Sequence, residues 1–384
     1  MPRTLNKDKL LKMIKDPSPQ VRMKIASLLF RAMEKNILTP RDHNGAAAMF
    51  AIAVDDPDMD VRRNLARLMC RSRHALPEIV ATLACDEIEV AGPVLKHSPV
   101  LQEEDLVYLS RNGGRAVRML IAGRDGLAGP ICEALAESGE ADVCRLLARN
   151  HSAALHPRDM ARLLGRFRNN SRLSSEIMAR PDVPATLKRE VMREVSSSLH
   201  DFLLQKKWVS PQRAKSVVLG AMENGTLDIS LTASEADLEH LAHRLAREGA
   251  LTPTLIMRSA CAGYLRFVET ALSVMAHLPR KRVQSMLRGR GPFGIRAIFT
   301  KAGLPKQAFP LFHIAMETCQ ELIRESGGAG EDAGFHCRVI ERVLTKYRDI
   351  AASDADQLLK MLEHFAADAR RIERRQEDQR SIAA

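Results

Sequence analysis

Apolar side chains near the start of the chain recur at helical spacing. Val21, Ile25, Leu28 and Leu29 stand at i, i+4, i+7 and i+8, which predicts one helix face. Val61, Leu65, Leu68 and Met69 repeat that face. The likeness extends beyond hydrophobicity. The segments Asp16-Pro-Ser-Pro-Gln-Val21-Arg22 and Asp56-Pro-Asp-Met-Asp-Val61-Arg62, with the Ala and Leu that follow, share Asp, Pro, Val, Arg, Ala and Leu at a constant shift of 40 residues. Ser18 and Asp58 are suited to cap the helix starts, and Pro19 suits a first turn. Ala26 and Ala66 keep the packed face narrow, so neighbouring helices can approach closely.

The same periodicity predicts helices over most of the remaining chain. One runs over 185–205, carrying Leu187, Val191, Val195 and Phe202, and another over 211–223. Asn224-Gly225 through Ser234 reads as a turn-rich linker. Ser234-Glu-Ala-Asp then opens a helix to about Glu248. Helices follow near 252–263, 264–277, 280–288, 294–303 and 306–325. Ser326 to Gly334 is a Gly-rich break, and a further helix spans 335–351. The last helix begins at Ser353. Its apolar set of Leu358, Leu362, Phe365, Ala369 and Ile372 forms a short heptad-like seam. Either docking on the body or a dimer contact accounts for that seam.

A period of 40 residues, with the D-x-x-x-x-V-R pattern, resembles the second-helix signature of HEAT repeats, two antiparallel helices per unit. The resemblance implies that Asp16 and Asp56 tie down the turn between helices. It also implies that Arg22 and Arg62 pair with acidic groups of neighbouring repeats. Shorter units follow, each an apolar helix end, a basic residue and a Pro- or Gly-containing turn. Their basic residues are Arg71, Lys96, Arg124, Arg149 and Arg180. A cation at a helix C-terminus offsets the negative end of the macrodipole, so these residues have a structural role before any other. The stretch from Asp86 to Leu101, the Gly249-Ala-Leu-Thr-Pro253 block, the Arg288-Gly-Arg-Gly-Pro-Phe-Gly294 block and Lys301-Ala-Gly-Leu-Pro305 together resemble a bacterial family known only as a domain of unknown function. The similarity covers most of residues 10–320 and implies a helical-repeat fold without implying an activity.

The expected fold class is therefore all-α, a HEAT-like α-solenoid followed by a smaller helical C-terminal region. Residues 1–223 are read as the repeat stack, 234–325 as a helical region with a basic Gly-containing loop, and 335–384 as a C-terminal helical pair. Composition agrees with close-packed helices. The chain is 45% hydrophobic but only 4% aromatic, which leaves little for stacking platforms. Seven scattered cysteines without a C-x-x-C pair suit reduced thiols in the cytoplasm, the expected location. No run approaches the ~20 apolar residues needed to span a bilayer.

Charge points to partners rather than to chemistry. The 58 Lys and Arg outnumber 47 Asp and Glu, a net charge of +11 that attracts phosphates and acidic surfaces. Between Glu269 and Glu317 there is no acidic residue, while Arg280, Lys281, Arg282, Arg288, Arg290, Arg296, Lys301 and Lys306 lie inside. A Gly-rich loop there, leading into a helix N-terminus, is a candidate anion or partner site. Arg158, Arg162 and Arg166 at i, i+4 and i+8, followed by Arg168 and Arg172, form a second basic series able to follow a phosphate backbone.

Motifs for catalysis do not assemble. His240-Leu-Ala-His243 near Glu239 offers two imidazoles and lacks the H-E-x-x-H order, and His336-Cys337 has no third partner. There is no P-loop and no G-x-S-x-G elbow. Repair glycosylases built from HEAT-like repeats need an aromatic and carboxylate cleft, which these residues do not supply. No cofactor or metal is expected. The expectation is a non-catalytic scaffold or adaptor with a protein partner, with nucleic-acid binding through the basic surfaces as the alternative.

Overall fold

The computed structural model describes residues 16–35, 40–206, 209–289, 292–325, 334–350 and 356–383. These hold 21 α-helices, one 3-10 turn and no strand. The fold is an all-α helical-repeat fold, divided into two compact units that meet in sequence at Val183 and Pro184.

In the first unit, α1 (Pro19–Glu34), α3 (Met59–Met69), α5 (Ile88–His97), α7 (Arg115–Ala122), α9 (Ala141–Arg149) and α11 (Ser171–Met178) pack in succession, each on the next in the row. Between them run α2 (Pro40–Ala53), α4 (Pro77–Ala84), α6 (Glu103–Asn112), α8 (Gly129–Ser138) and α10 (Pro157–Arg166). Of these, α6, α8 and α10 pack as a second row. Such nearest-neighbour packing is what a repeat array requires, because no single pair buries its own apolar side.

The 40-residue echo has a direct structural counterpart. Asp16 Oδ1 accepts from the Ser18 amide, and Asp56 Oδ1 accepts from the Asp58 amide, so each Asp closes the turn that starts its helix. Arg22 donates through Nε and Nη2 to the Asp56 carboxylate, at 2.7 and 2.9 Å. Arg62 repeats the contact with Asp86, at 2.7 and 3.1 Å. One part of the apolar pattern is shifted. Ile25, Ala26, Leu29, Phe30 and Met33 are buried in α1, whereas Leu28 is exposed. The buried face centres on Ile25 and Leu29, so Val21 and Leu28 flank it, the first half-buried and the second outside.

The second unit begins with a hairpin of two long helices, α12 (Ala185–Gln205) and α13 (Pro211–Thr232). The expected linker at Asn224-Gly225 is corrected by this finding: both residues lie inside α13. Gly225 lies against the Met192 side chain of α12, which would have to shift to admit a Cβ there. The chain turns only at Ala233, and Ser234 caps α14 (Glu235–Arg247) by accepting from the Asp237 amide. At the centre lies α15 (Pro253–Cys261), buried at seven successive positions from Leu255 to Cys261. A helix buried all round belongs in the middle of a core. Around it pack α16 (Leu265–Ala276), α19 (Phe309–Glu325) and α20 (Phe335–Ile350), while α17 (Arg280–Arg288) and α18 (Pro292–Lys301) pack on each other and on α16.

The last helix, α21 (Asp356–Ala383), packs on α20. Leu362 and Phe365 are buried in the core of this unit, with Leu358 and Ala369 packed against it. Those four seam positions therefore dock on the body. The expected cap Ser353 and the Gly-rich residues 326–333 lie outside the described residues, as does the side chain of Ile372.

Candidate interaction surfaces

Arg158, Arg162 and Arg166 share one side of α10, as their spacing predicts, but that side faces carboxylates of α8. Arg158 Nη2 donates to Glu133 at 2.6 Å, and Arg162 Nη1 donates to Glu137 at 2.9 Å. Arg166 donates to the carbonyls of Ala136 and Gly139. The positive ridge expected on α10 is thus offset at Arg158 and Arg162 by carboxylates of α8, while Arg166 is held by carbonyls. The same helix buries Asp159 completely. Its Oδ2 accepts no hydrogen bond among the described residues, and desolvation raises its pKa.

Beyond α10, residues 165–172 line an open basin of about 690 Å³. Arg168 and Arg172 lie along it, and the Asn170 side chain accepts from the Leu173 amide and so caps α11.

Several repeat arginines act as internal ties. Arg180, 1% exposed, donates to the carbonyls of Ala148, Asn150 and Ala153 and to Asp182. Arg124 donates to the carbonyls of Leu95 and Ser98. Arg124 thereby satisfies carbonyls at the end of α5, and Arg180 satisfies carbonyls at the end of α9 and in the turn that follows.

In the second unit the acid-free stretch divides into tied and untied cations. Buried Glu269 of α16 draws in Arg280 at 3.5 Å, Gln284 at 2.7 Å and Arg288 at 3.1 Å. Arg280 also reaches Glu235 at 3.1 Å. Arg296 stays exposed and stacks its guanidinium over the Phe309 ring, 4.8 Å from the centroid. Lys281, Arg282, Lys301 and Lys306 are exposed, and no carboxylate of the described residues forms an ion pair with them. Arg290 lies outside the described residues. Gly294 serves helix packing: a Cβ there would sit 2.5 Å from the Met286 carbonyl oxygen.

Three features escaped sequence reasoning. Phe293, at the start of α18, is 84% exposed. Its setting in Pro-Phe-Gly after a Gly-rich turn was the available signal. Val195, Leu199 and Phe202 of α12 are exposed at i, i+4 and i+7; the sequence marked Leu187, Val191, Val195 and Phe202 along a helix without showing which of them face water. Arg258 sits in the buried face of α15. It donates to Glu223 at 3.0 Å, Asn224 at 2.7 Å and Asp368 at 3.0 Å, with Phe365 stacked 4.1 Å away.

Burial raises the Cys132 thiol to about 12 and the Cys144 thiol to about 11, and it raises Cys261 as well. A thiol held this far above neutral pH is a poor nucleophile. Among the described residues no three His, Cys, Asp or Glu side chains are grouped to hold a metal ion. None of the described helices is long and apolar enough to cross a membrane.

Residues 90–353 match a bacterial family described as an uncharacterised protein conserved in bacteria (DUF2336). No curated protein matches the chain.

Proposed function

The chain belongs to this DUF2336 family, and we propose that it is a non-catalytic helical-repeat adaptor that engages a protein partner. The observation that carries the reading is the apolar stripe on α12, where Val195, Leu199 and Phe202 are 63%, 45% and 43% exposed. Only the first turns of α12 are buried, at Ala185, Leu187 and Arg189. Beyond them Val195, Leu199 and Phe202 keep exposed apolar surface at the spacing by which one helix docks on another, with the Lys206 ammonium over the Phe202 ring at 5.8 Å from its centroid. Removing such surface from water contributes about 25 cal/mol per Å².

The test is a Val195→Ser, Leu199→Ser, Phe202→Ser variant, compared with the wild type by cross-linking and pull-down from the native cell. Loss of a reproducible partner, with unchanged helical circular dichroism, is the expected result. Retention of the same partner by the triple variant defeats the reading. Light scattering of the purified chain establishes whether the partner is a second copy.

A second reading, binding to nucleic acid, draws on Arg168 and Arg172 beside the basin and on Lys281, Arg282, Arg296, Lys301 and Lys306, because Arg158, Arg162 and Arg166 are already engaged by α8 and the residue after it. It predicts an affinity for DNA or RNA that falls steeply with salt.

A further inference from the structure

The outer sides of α17 and α18 carry a pattern that the adaptor reading does not use. On α17 the exposed positions are Lys281, Arg282, Ser285 and Arg288; on α18 they are Pro292, Phe293, Arg296, Ala297, Thr300 and Lys301. Both sets recur at helical spacing, so each helix turns one side to water. Neither set contains a carboxylate. Glu269, the acid beneath them, is buried and already holds Arg280 and Arg288, and Glu235 of α14 pairs with Arg280. The remaining cations on this surface therefore keep their field. Where the two helices meet, Phe293 projects with 84% of its surface in water.

We propose that this corner is a peripheral membrane-docking site, with Phe293 entering the acyl boundary of an anionic bilayer while Lys281, Arg282, Arg296 and Lys301 lie among its headgroups. The choice of a bilayer over other anions follows from the shape of the surface. One exposed aromatic ring on a pair of helices whose exposed positions hold cations and no carboxylate matches a layer whose charge lies outside and whose apolar part lies deeper. A nucleic-acid strand calls for several aromatic faces on which successive bases stack, and this surface has one. A protein hot spot calls for an apolar centre within an area of about 800 Å² per partner, whereas here a single ring stands among charges. The contact needs no spanning segment, since the described helices would lie on the surface.

The test uses the full chain with vesicles of phosphatidylcholine alone and of phosphatidylcholine with phosphatidylglycerol. Co-sedimentation with the anionic vesicles only, reversed by salt, is the expected result. Affinity should fall about fivefold for each of Lys281 and Arg282 changed to Gln, and about tenfold for Phe293→Ala. All three positions are exposed, so circular dichroism should not change. In a Trp208→Phe background, Phe293→Trp places the single indole at the tip. It should retain binding and shift its emission to the blue on anionic vesicles alone. No binding, equal binding to neutral vesicles, or an unshifted indole overturns the proposal. So does duplex DNA or RNA that strips the protein from vesicles while Phe293→Ala changes nothing. The Val195, Leu199 and Phe202 variant should bind vesicles like the wild type, which separates this result from the fate of the adaptor reading.

Discussion

Arg22 grips the carboxylate of Asp56 through two hydrogen bonds, Nε to Oδ2 at 2.7 Å and Nη2 to Oδ1 at 2.9 Å, across 34 residues of chain. The same carboxylate accepts from the amide of Asp58. Asp56 thus closes its own turn and anchors the preceding repeat at once. Asp56→Ala should lower the melting temperature more than Arg22→Ala, because it removes both functions. Asp56→Asn, which can still accept from the Asp58 amide, should fall between them. Thermal unfolding followed by circular dichroism checks the order.

Arg62 and Asp86 form the next rung, and the guanidinium holds the Asp86 carboxyl below its ordinary range. A depressed carboxylate stabilises the fold above its unfolded pKa of about 3.9, and that contribution is lost as pH falls through the folded value. The stability difference between the wild type and Asp86→Asn should therefore be constant at neutral pH and shrink as the solution is acidified below about pH 4. Urea titrations at a series of pH values measure it. A difference that grows on acidification would contradict the pairing.

Asp159 predicts the opposite slope. Burial raises its pKa, so the folded state holds the proton more tightly than the unfolded chain. Relative to Asp159→Asn, the wild type should lose stability as pH rises from about 3.9 through the elevated pKa, and then level off. The same urea series, run on the two proteins side by side, reports this slope.

The Arg258 cluster joins α13, α15 and α21. Arg258→Ala strands the buried carboxylate of Glu223, takes one partner from half-buried Asp368, and should destabilise the second unit by about 3 kcal/mol. Replacing Arg258 by Met in a Glu223→Gln, Asp368→Asn background should recover part of that loss, because no buried charge is then left unpaired. Denaturant midpoints of the three proteins provide the comparison.

Thiol reactivity should follow burial. Cys85 is exposed, while Cys70, Cys132, Cys144, Cys261 and Cys319 are buried. A thiol reagent at neutral pH should label Cys85 in the folded chain and reach those five only on unfolding. Peptide mass spectrometry identifies the labelled sites.

The helical periodicity and the 40-residue echo were legible along the chain, because each is a pattern of residue spacing, and the turn-closing role of Asp16 and Asp56 was implied by the resemblance of that echo to HEAT repeats. The docked seam of Leu358, Leu362, Phe365 and Ala369 was half legible: the spacing marked an apolar side but not what covers it. Which cations remain available was decided by the tertiary structure alone. Arg158 and Arg162 find acids 25 residues away, and Arg288 finds Glu269 across 19. Lys281 and Arg282, beside Arg280 in sequence, meet no such carboxylate among the described residues. Gly225 likewise reads as a turn in one dimension and as a close helix contact in three. Helix formation depends on side chains one turn apart, whereas charge cancellation and close packing depend on distances that exist only after the chain has folded.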